Sequence, residues 1–161
     1  MMNRSYLIVC EETREAAIVD AAWEADTLDR ALQDAGADLR LLLCTHGHDD
    51  HVNLVPEFLK RHPKAQAVCH ERERIPAPKN RTRAISNGDS LMLGQISIQC
   101  LHTPGHTPGS VTYLAGDHAF FGRVAVHYGQ ILLLHHARAK QSRELARHGI
   151  RKREYQQPAG V

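Results

Sequence analysis

Several features are missing from this 161-residue chain, and each absence excludes a class. No apolar run approaches the roughly 20 residues of a membrane span. The apolar segment Tyr6–Cys10 is too short for a signal-peptide core and is followed by Glu11 and Glu12, so the compartment expected is the cytoplasm, with no membrane partner. No C-x-x-C pair occurs among Cys10, Cys44, Cys69 and Cys100, which argues against a cysteine zinc knuckle. Each cysteine ends or nearly ends an apolar run, where a reduced thiol packs as a small hydrophobe; Cys44, two residues before His46, is the one with a competing claim as a ligand. There is no internal repeat, no low-complexity segment and no aromatic–basic stripe, so nucleic acid is not the partner.

An apolar content of 42% and a charged content of 24% are those of an ordinary globular chain long enough to bury a core. The formal charge of +2 conceals an asymmetry: residues 1–134 hold 13 Lys+Arg against 16 Asp+Glu, and residues 135–161 hold 7 against 2. This divides the chain into an acidic body, 1–134, and a basic tail, 135–161, expected to be partly disordered, with no regular structure beyond Gly149.

Histidine is abundant, with 12 in the chain, and its distribution is uneven. Thr45-His46-Gly47-His48-Asp49-Asp50-His51 follows the apolar run Leu39–Cys44, which reads as a buried strand. A strand delivering His-x-His-x-Asp-His into a loop aims several donor atoms at one point, and imidazole nitrogen with carboxylate oxygen suits zinc and related divalent ions. A second histidine loop, His102-Thr103-Pro104-Gly105-His106-Thr107-Pro108-Gly109-Ser110, lies downstream after another strand.

Around these loops the periodicity alternates between strand and helix. Tyr6–Cys10 and Ala16–Asp20 suggest a hairpin. Leu28, Ala31, Leu32 and Ala35 give a helical stripe that Asp26 would cap and Gly36 would end, with Trp23 packing just before it. Asn53 would cap a second helix with Pro56 in its first turn and Pro63 as its stop, placing Asp50 and His51 just ahead of its N-terminus. Ala65–Cys69 reads as a strand, Glu71–Arg83 as a surface connection, Ala84–Leu93 as a segment turning at Asn87-Gly88-Asp89, Ile96–Leu101 as an alternating strand, and Val111–Leu114 with Ala119–Phe121 as a hairpin. The order is a mixed α/β layer pattern. His62 is placed at a helix end facing water, His118 in a turn, and His70 and His102 at strand ends in structural or solvated roles.

The two loops together, T-H-x-H-x-D-H and H-T-P-G-H-T-P-G-S, resemble the metallo-β-lactamase superfamily, and within it the glyoxalase II-like thioester hydrolases. Ser5-Tyr6-Leu7-Ile8, Ala17-Ile18-Val19-Asp20 and Asn87-Gly88-Asp89-Ser90-Leu91 echo the same pattern, and the resemblance covers roughly residues 3–126. It implies a four-layer αββα sandwich, here lacking part of its C-terminal half. It also implies that His46, His48 and His106 are the ligands of a first metal and that Asp50 and His51 belong to a second. The implied activity is zinc-dependent hydrolysis of a thioester or similar ester of a small molecule through a metal-bound hydroxide, with Asp50 orienting it or carrying its proton. An Fe2+ oxidoreductase of the persulfide dioxygenase type and a non-catalytic metal-binding member are the alternatives, and the chain is expected to be a monomer or homodimer.

One position departs from the family. Where its members carry an aspartate bridging two metals, Phe121-Gly122 is followed by Arg123. A guanidinium ~4 Å from a divalent ion is repelled by roughly 8 kcal/mol at an effective dielectric of ~20. One well-formed metal site is therefore expected, with a weak or absent second. Gly116-Asp117 offers a substitute, but its place in the hairpin turn, 11 residues after His106 against 17 for Arg123, argues against it as a ligand; His127, His135, His136 and His148 are candidates for the family's last histidine.

Overall fold

The computed structural model describes residues 4–122 and the backbone of 150–156. Two sheets pack face to face. The first is built from β1 (Arg4–Cys10), β2 (Glu15–Val19), β3 (Asp38–Leu43), β4 (Gln66–His70), β5 (Thr82–Ile85) and β10 (Ile150–Gln156), in the order β10-β1-β2-β3-β4-β5. The second is an antiparallel meander of β6 (Ser90–Leu93), β7 (Ile96–His102), β8 (Val111–Ala115) and β9 (His118–Phe121). Helices α1 (Ala25–Ala35), α2 (Asp49–Val52) and α3 (Val55–Arg61) connect strands of the first sheet.

The apolar runs Ala16–Val19 in β2 and Leu41–Leu43 in β3 follow from burial on both faces. Ala16 and Ile18 face the helices with Leu28, Leu32, Leu42 and Phe58, while Ala17 and Val19 face the second sheet with Leu43, Leu91, Ile98 and Tyr113. These two cores make three layers, helix on sheet on sheet. The fourth layer of the expected sandwich is not among the described residues. Among the described residues no helix is long and apolar enough to cross a membrane.

Strands β2 to β5 run parallel, so their C-terminal ends share one edge of the sheet. At that edge lie Asp20 after β2, the first histidine loop after β3 and the Glu71–Arg74 segment after β4. The second histidine loop joins β7 to β8 and is tied to the first where the Val111 N–H donates to the Thr45 carbonyl at 2.8 Å.

Several expectations need correction. Position Glu24, not Asp26, is the N-cap of α1 and makes no side-chain cap, and Asp26 stands in the first turn. Gly36 ends α1 in the left-handed conformation, as its position predicts. Asn53 caps no helix N-terminus: it closes the single turn α2, and α3 starts after Leu54 with Pro56 in its first turn. Asp50 and His51 consequently lie inside α2, itself just ahead of α3. Trp23 does not pack into the core. Its backbone is left-handed (φ 69°), its N–H donates to Asn53 Oδ1, and the residue is 53% exposed. His62 is half-buried against Asp29 at 3.0 Å rather than turned to water, and His118 opens β9. The Asn87-Gly88-Asp89 turn carries the chain from the first sheet to the second, with β5 and β6 in different sheets. The tail expected to lack regular structure beyond Gly149 contributes β10, antiparallel to β1 from Arg4↔Gln156 to Cys10↔Ile150, because the outer edge of β1 otherwise presents an unpaired row of backbone donors and acceptors. The boundary drawn at residue 134, Arg123 and the four C-terminal histidine candidates fall outside the described residues.

Candidate metal centre

The first loop leaves β3 under firm backbone control. Cys44 N–H bonds to the Val68 carbonyl at 2.9 Å, and Asp20 N–H to the Leu43 carbonyl at 2.9 Å. His46 then turns into the interior, 1% exposed, while His48 is exposed and His106 from the second loop is half-buried. One nitrogen from each of these three rings lies within 4.8 Å of the other two. His48 Nδ1 and His106 Nε2 are 3.0 Å apart. Two nitrogens held about 2.0–2.1 Å from a tetrahedral zinc stand roughly 3.3 Å apart, so the cluster is within a small side-chain adjustment of a ligand set.

Asp20 sets the proton positions behind this cluster. It is buried and its backbone is left-handed (φ 53°), a conformation aspartate tolerates better than most residues. Its Oδ1 accepts the Thr45 N–H at 2.8 Å; its Oδ2 accepts the Thr45 hydroxyl at 2.7 Å and His51 Nδ1–H at 2.8 Å. A carboxylate donates nothing, so His51 keeps a proton on Nδ1, and its neutral form presents Nε2 as a lone pair. The Thr45 hydroxyl spends its single hydrogen on Asp20 and therefore accepts from His46 Nδ1 at 3.1 Å, leaving His46 Nε2 bare as well. These two Nε2 atoms are buried and make no hydrogen bond among the described residues. Unpartnered buried imidazole nitrogens are rare in folded proteins, and a cation held by His46, His48 and His106 would supply the partner that His46 Nε2 lacks.

The electrostatics agree. Burial, followed by the neighbouring rings of His51, His106 and His48, pushes the His46 pKa down to about 3, so its imidazole is neutral at physiological pH, the form that ligates. The His51 ring lies 4.1 Å from that of His46, and Asp50 Oδ2 is 3.9 Å from His51 Nε2. The sequence-predicted His46, His48, Asp50, His51 and His106 thus share one edge. His46, His48 and His106 form the tight group, and Asp50 with His51 flanks it. Asp117 is elsewhere: it stands in the β8–β9 turn with its carboxylate 2.7 Å from His118 Nδ1. Cys44 is buried outside the group, its thiol pKa pushed well up by burial and then by Asp20.

Two functional residues were not singled out from the sequence. Asp20 appeared there as the end of a strand and of a family-like stretch, with no role assigned, and Glu73 only as one charge in a surface connection. Glu73 instead reaches both histidine loops, accepting from Gly47 N–H, Gly109 N–H and the Thr107 hydroxyl. Gly122 packs so closely that a Cβ there would lie 2.4 Å from Thr45 Oγ1 and 2.9 Å from His46 Nδ1.

Comparison with known proteins is consistent with this centre. The chain is 34% identical over 123 residues to the probable polyketide biosynthesis zinc-dependent hydrolase PksB of Bacillus subtilis, covering 74% of this chain and 54% of that protein. It is 39% identical over 111 residues to the human hydroxyacylglutathione hydrolase-like protein, covering 69% of this chain and 37% of that one. The chain therefore spans about half or less of the length of these relatives. Among solved structures, a metallo-beta-lactamase from Staphylococcus aureus superposes with a TM-score of 0.64 at 27% identity, over 70% of this chain and 34% of that one. The sequence model of the metallo-beta-lactamase superfamily matches residues 2–148. With both histidine loops meeting at the strand ends of a two-sheet α/β fold, the chain belongs to the metallo-beta-lactamase superfamily.

Proposed function

We propose that this chain is a zinc-dependent hydrolase acting on a thioester or similar ester of a small molecule. The observation that carries the reading is the buried, unpartnered Nε2 of His46 beside the His48 and His106 rings. The names of its relatives support hydrolysis, and one of them, the hydroxyacylglutathione hydrolase-like protein, points to a thioester.

His46, His48 and His106 would hold the zinc, which when bound would supply a Lewis acid and lower the pKa of a water toward about 7. The rest is done by the chain. Asp20 fixes the tautomers of His46 and His51, directly or through Thr45, so that lone pairs rather than protons face the centre. Asp50, partly exposed beside His51, receives the proton released as water attacks the acyl carbon, and passes it to the departing thiolate. The exposed edge at His48 admits substrate. Asp50 and His51 are half of a second site, which Arg123 at the family's aspartate position keeps weak or absent. Four free, buried cysteines fit a reducing compartment such as the cytoplasm.

The test is metal content per chain after purification without added metal, followed by turnover of hydroxyacyl-glutathione thioesters. About one zinc per chain, activity lost to a chelator and restored by zinc, and a second zinc gained in Arg123→Asp are the expected results. Thioester turnover no faster than that of free zinc refutes the hydrolase reading, and iron in place of zinc shifts it to the oxidoreductase alternative.

A further inference from the structure

The segment that follows β4 is charged and without apolar periodicity, yet one residue of it is inserted between the two histidine loops. Glu73 Oε2 accepts the Gly47 N–H at 2.9 Å, while Oε1 accepts the Gly109 N–H at 2.8 Å and the Thr107 hydroxyl at 2.5 Å. Gly47 lies between His46 and His48, and Thr107 adjoins His106. Every member of the three-histidine cluster is thus one residue away from an atom bonded to this single carboxylate.

The glycines on either side show that the insertion is tight. A Cβ on Gly47 would fall 2.4 Å from the Arg74 carbonyl oxygen and 2.9 Å from Glu73 Oε2. On Gly109 it would fall 2.7 Å from both Glu73 Cγ and Oε1. A side chain at either position would displace Glu73 or the backbone beside it from its place between the loops. The segment is also anchored from behind. Arg72 N–H donates to His70 Nδ1 at 3.1 Å, and Glu73 N–H to the His70 carbonyl at 2.9 Å. The His70 ring stacks on that of His102, centroids 4.1 Å apart and planes 15° apart. His102 Nε2–H in turn donates to the Pro108 carbonyl of the second loop at 2.8 Å.

We propose that Glu73 is a positioning residue: it clamps the two histidine loops at the separation that a metal requires, and so sets the metal affinity of the site without touching the ion. A charged acceptor is needed because three donors converge on two oxygens. An amide retains one oxygen and turns an NH2 group on a donor, so Glu73→Gln releases one loop. Glu73→Asp is a methylene short and spans to one loop only.

This inference rests on the reading of the histidine cluster as a metal site, and zinc affinity, measured by competition with a chromophoric chelator, separates the two. Glu73→Gln should weaken zinc binding at least 10-fold, within the 10–100-fold range of residues that orient ligands. It should also alter the visible absorption of the cobalt-loaded protein while moving the chelator-treated melting midpoint little. Thr107→Val, which deletes one donor to the clamp, should weaken zinc several-fold, and Thr107→Ser should restore it; this pair decides the matter if Glu73→Gln does not fold. Zinc affinity within twofold of native in both Glu73→Gln and Thr107→Val, with an unchanged cobalt spectrum, overturns the clamp and leaves the metal site standing. A native chain that takes up no zinc overturns both.

Discussion

Replacing Asp20 by Asn tests the proton logic of the centre with almost no change of shape. In the native chain Oδ2 accepts the Thr45 hydroxyl at 2.7 Å and His51 Nδ1–H at 2.8 Å. In Asp20→Asn the Oδ1 bond to Thr45 N–H survives, but Oδ2 becomes an NH2 that can only donate. His51 must then accept at Nδ1 and carry its proton on Nε2. The Thr45 hydroxyl, relieved of Asp20, donates to His46 Nδ1 and moves that proton to Nε2 as well. Two charge-assisted bonds worth about 1.5–3 kcal/mol each become neutral ones worth about 0.5–1.5, a net loss of about 2–3 kcal/mol. With an unfolding entropy of about 2.1 cal/mol/K per residue over this length, the metal-free melting midpoint falls by roughly 6–9 °C. Zinc binding suffers more, because two imidazoles must give up the wrong tautomer first, and a loss of 10–100-fold is expected. Scanning calorimetry of the chelator-treated protein and chelator competition for zinc read the two effects separately. A midpoint within about 2 °C of native together with native zinc affinity would show that Asp20 does not control the tautomers.

Gly122→Ala places a methyl against Thr45 Oγ1 and His46 Nδ1; it should cost about 1–3 kcal/mol of stability and weaken zinc binding, both measurable on the same two instruments. Tyr113→Phe removes only the hydroxyl that donates to the Cys44 carbonyl at 2.9 Å beneath the first histidine loop; a loss of about 1–2 kcal/mol in urea unfolding is expected, with the m-value unchanged. His70 contributes a pH dependence of defined sign. Burial, and then the charge of His102, lowers its folded pKa below the ordinary 6.5, so as pH falls through that value the unfolded chain binds a proton the folded chain resists, and stability drops. His70→Asn should therefore lose less of its metal-free melting midpoint than the native chain between about pH 7.5 and pH 5.5, a window that spans the ordinary histidine value.

What the sequence could disclose was whatever one stretch of chain carries by itself. The run Leu39–Cys44, interrupted only by Arg40, marked β3 because both faces of Leu41–Leu43 are buried, and the histidine spacing marked the cluster because ligands on adjacent loop positions need no partner to be recognised. Asp20 and Glu73 were opaque for the opposite reason: each acts across 25 or more residues, and a lone carboxylate has no periodicity to betray its partner. Trp23 was read as packing because large aromatic side chains usually bury, and nothing local announced the left-handed backbone that turns it outward. Residues 150–156 have no apolar alternation to mark a strand; what makes them one is the backbone edge of β1, nearly 150 residues earlier.

That last pairing has a consequence for handling the protein. All seven residues of β1 are matched by β10, so a version of the chain cut after Gly149 would offer a ready template to any passing extended peptide, a second molecule included. Such a version should associate as its concentration rises, and a short synthetic peptide of residues 150–156 added in excess should suppress that association. The far end of the chain would then act as a guard on the side of the sheet opposite β5, leaving the histidine loops to face solvent undisturbed.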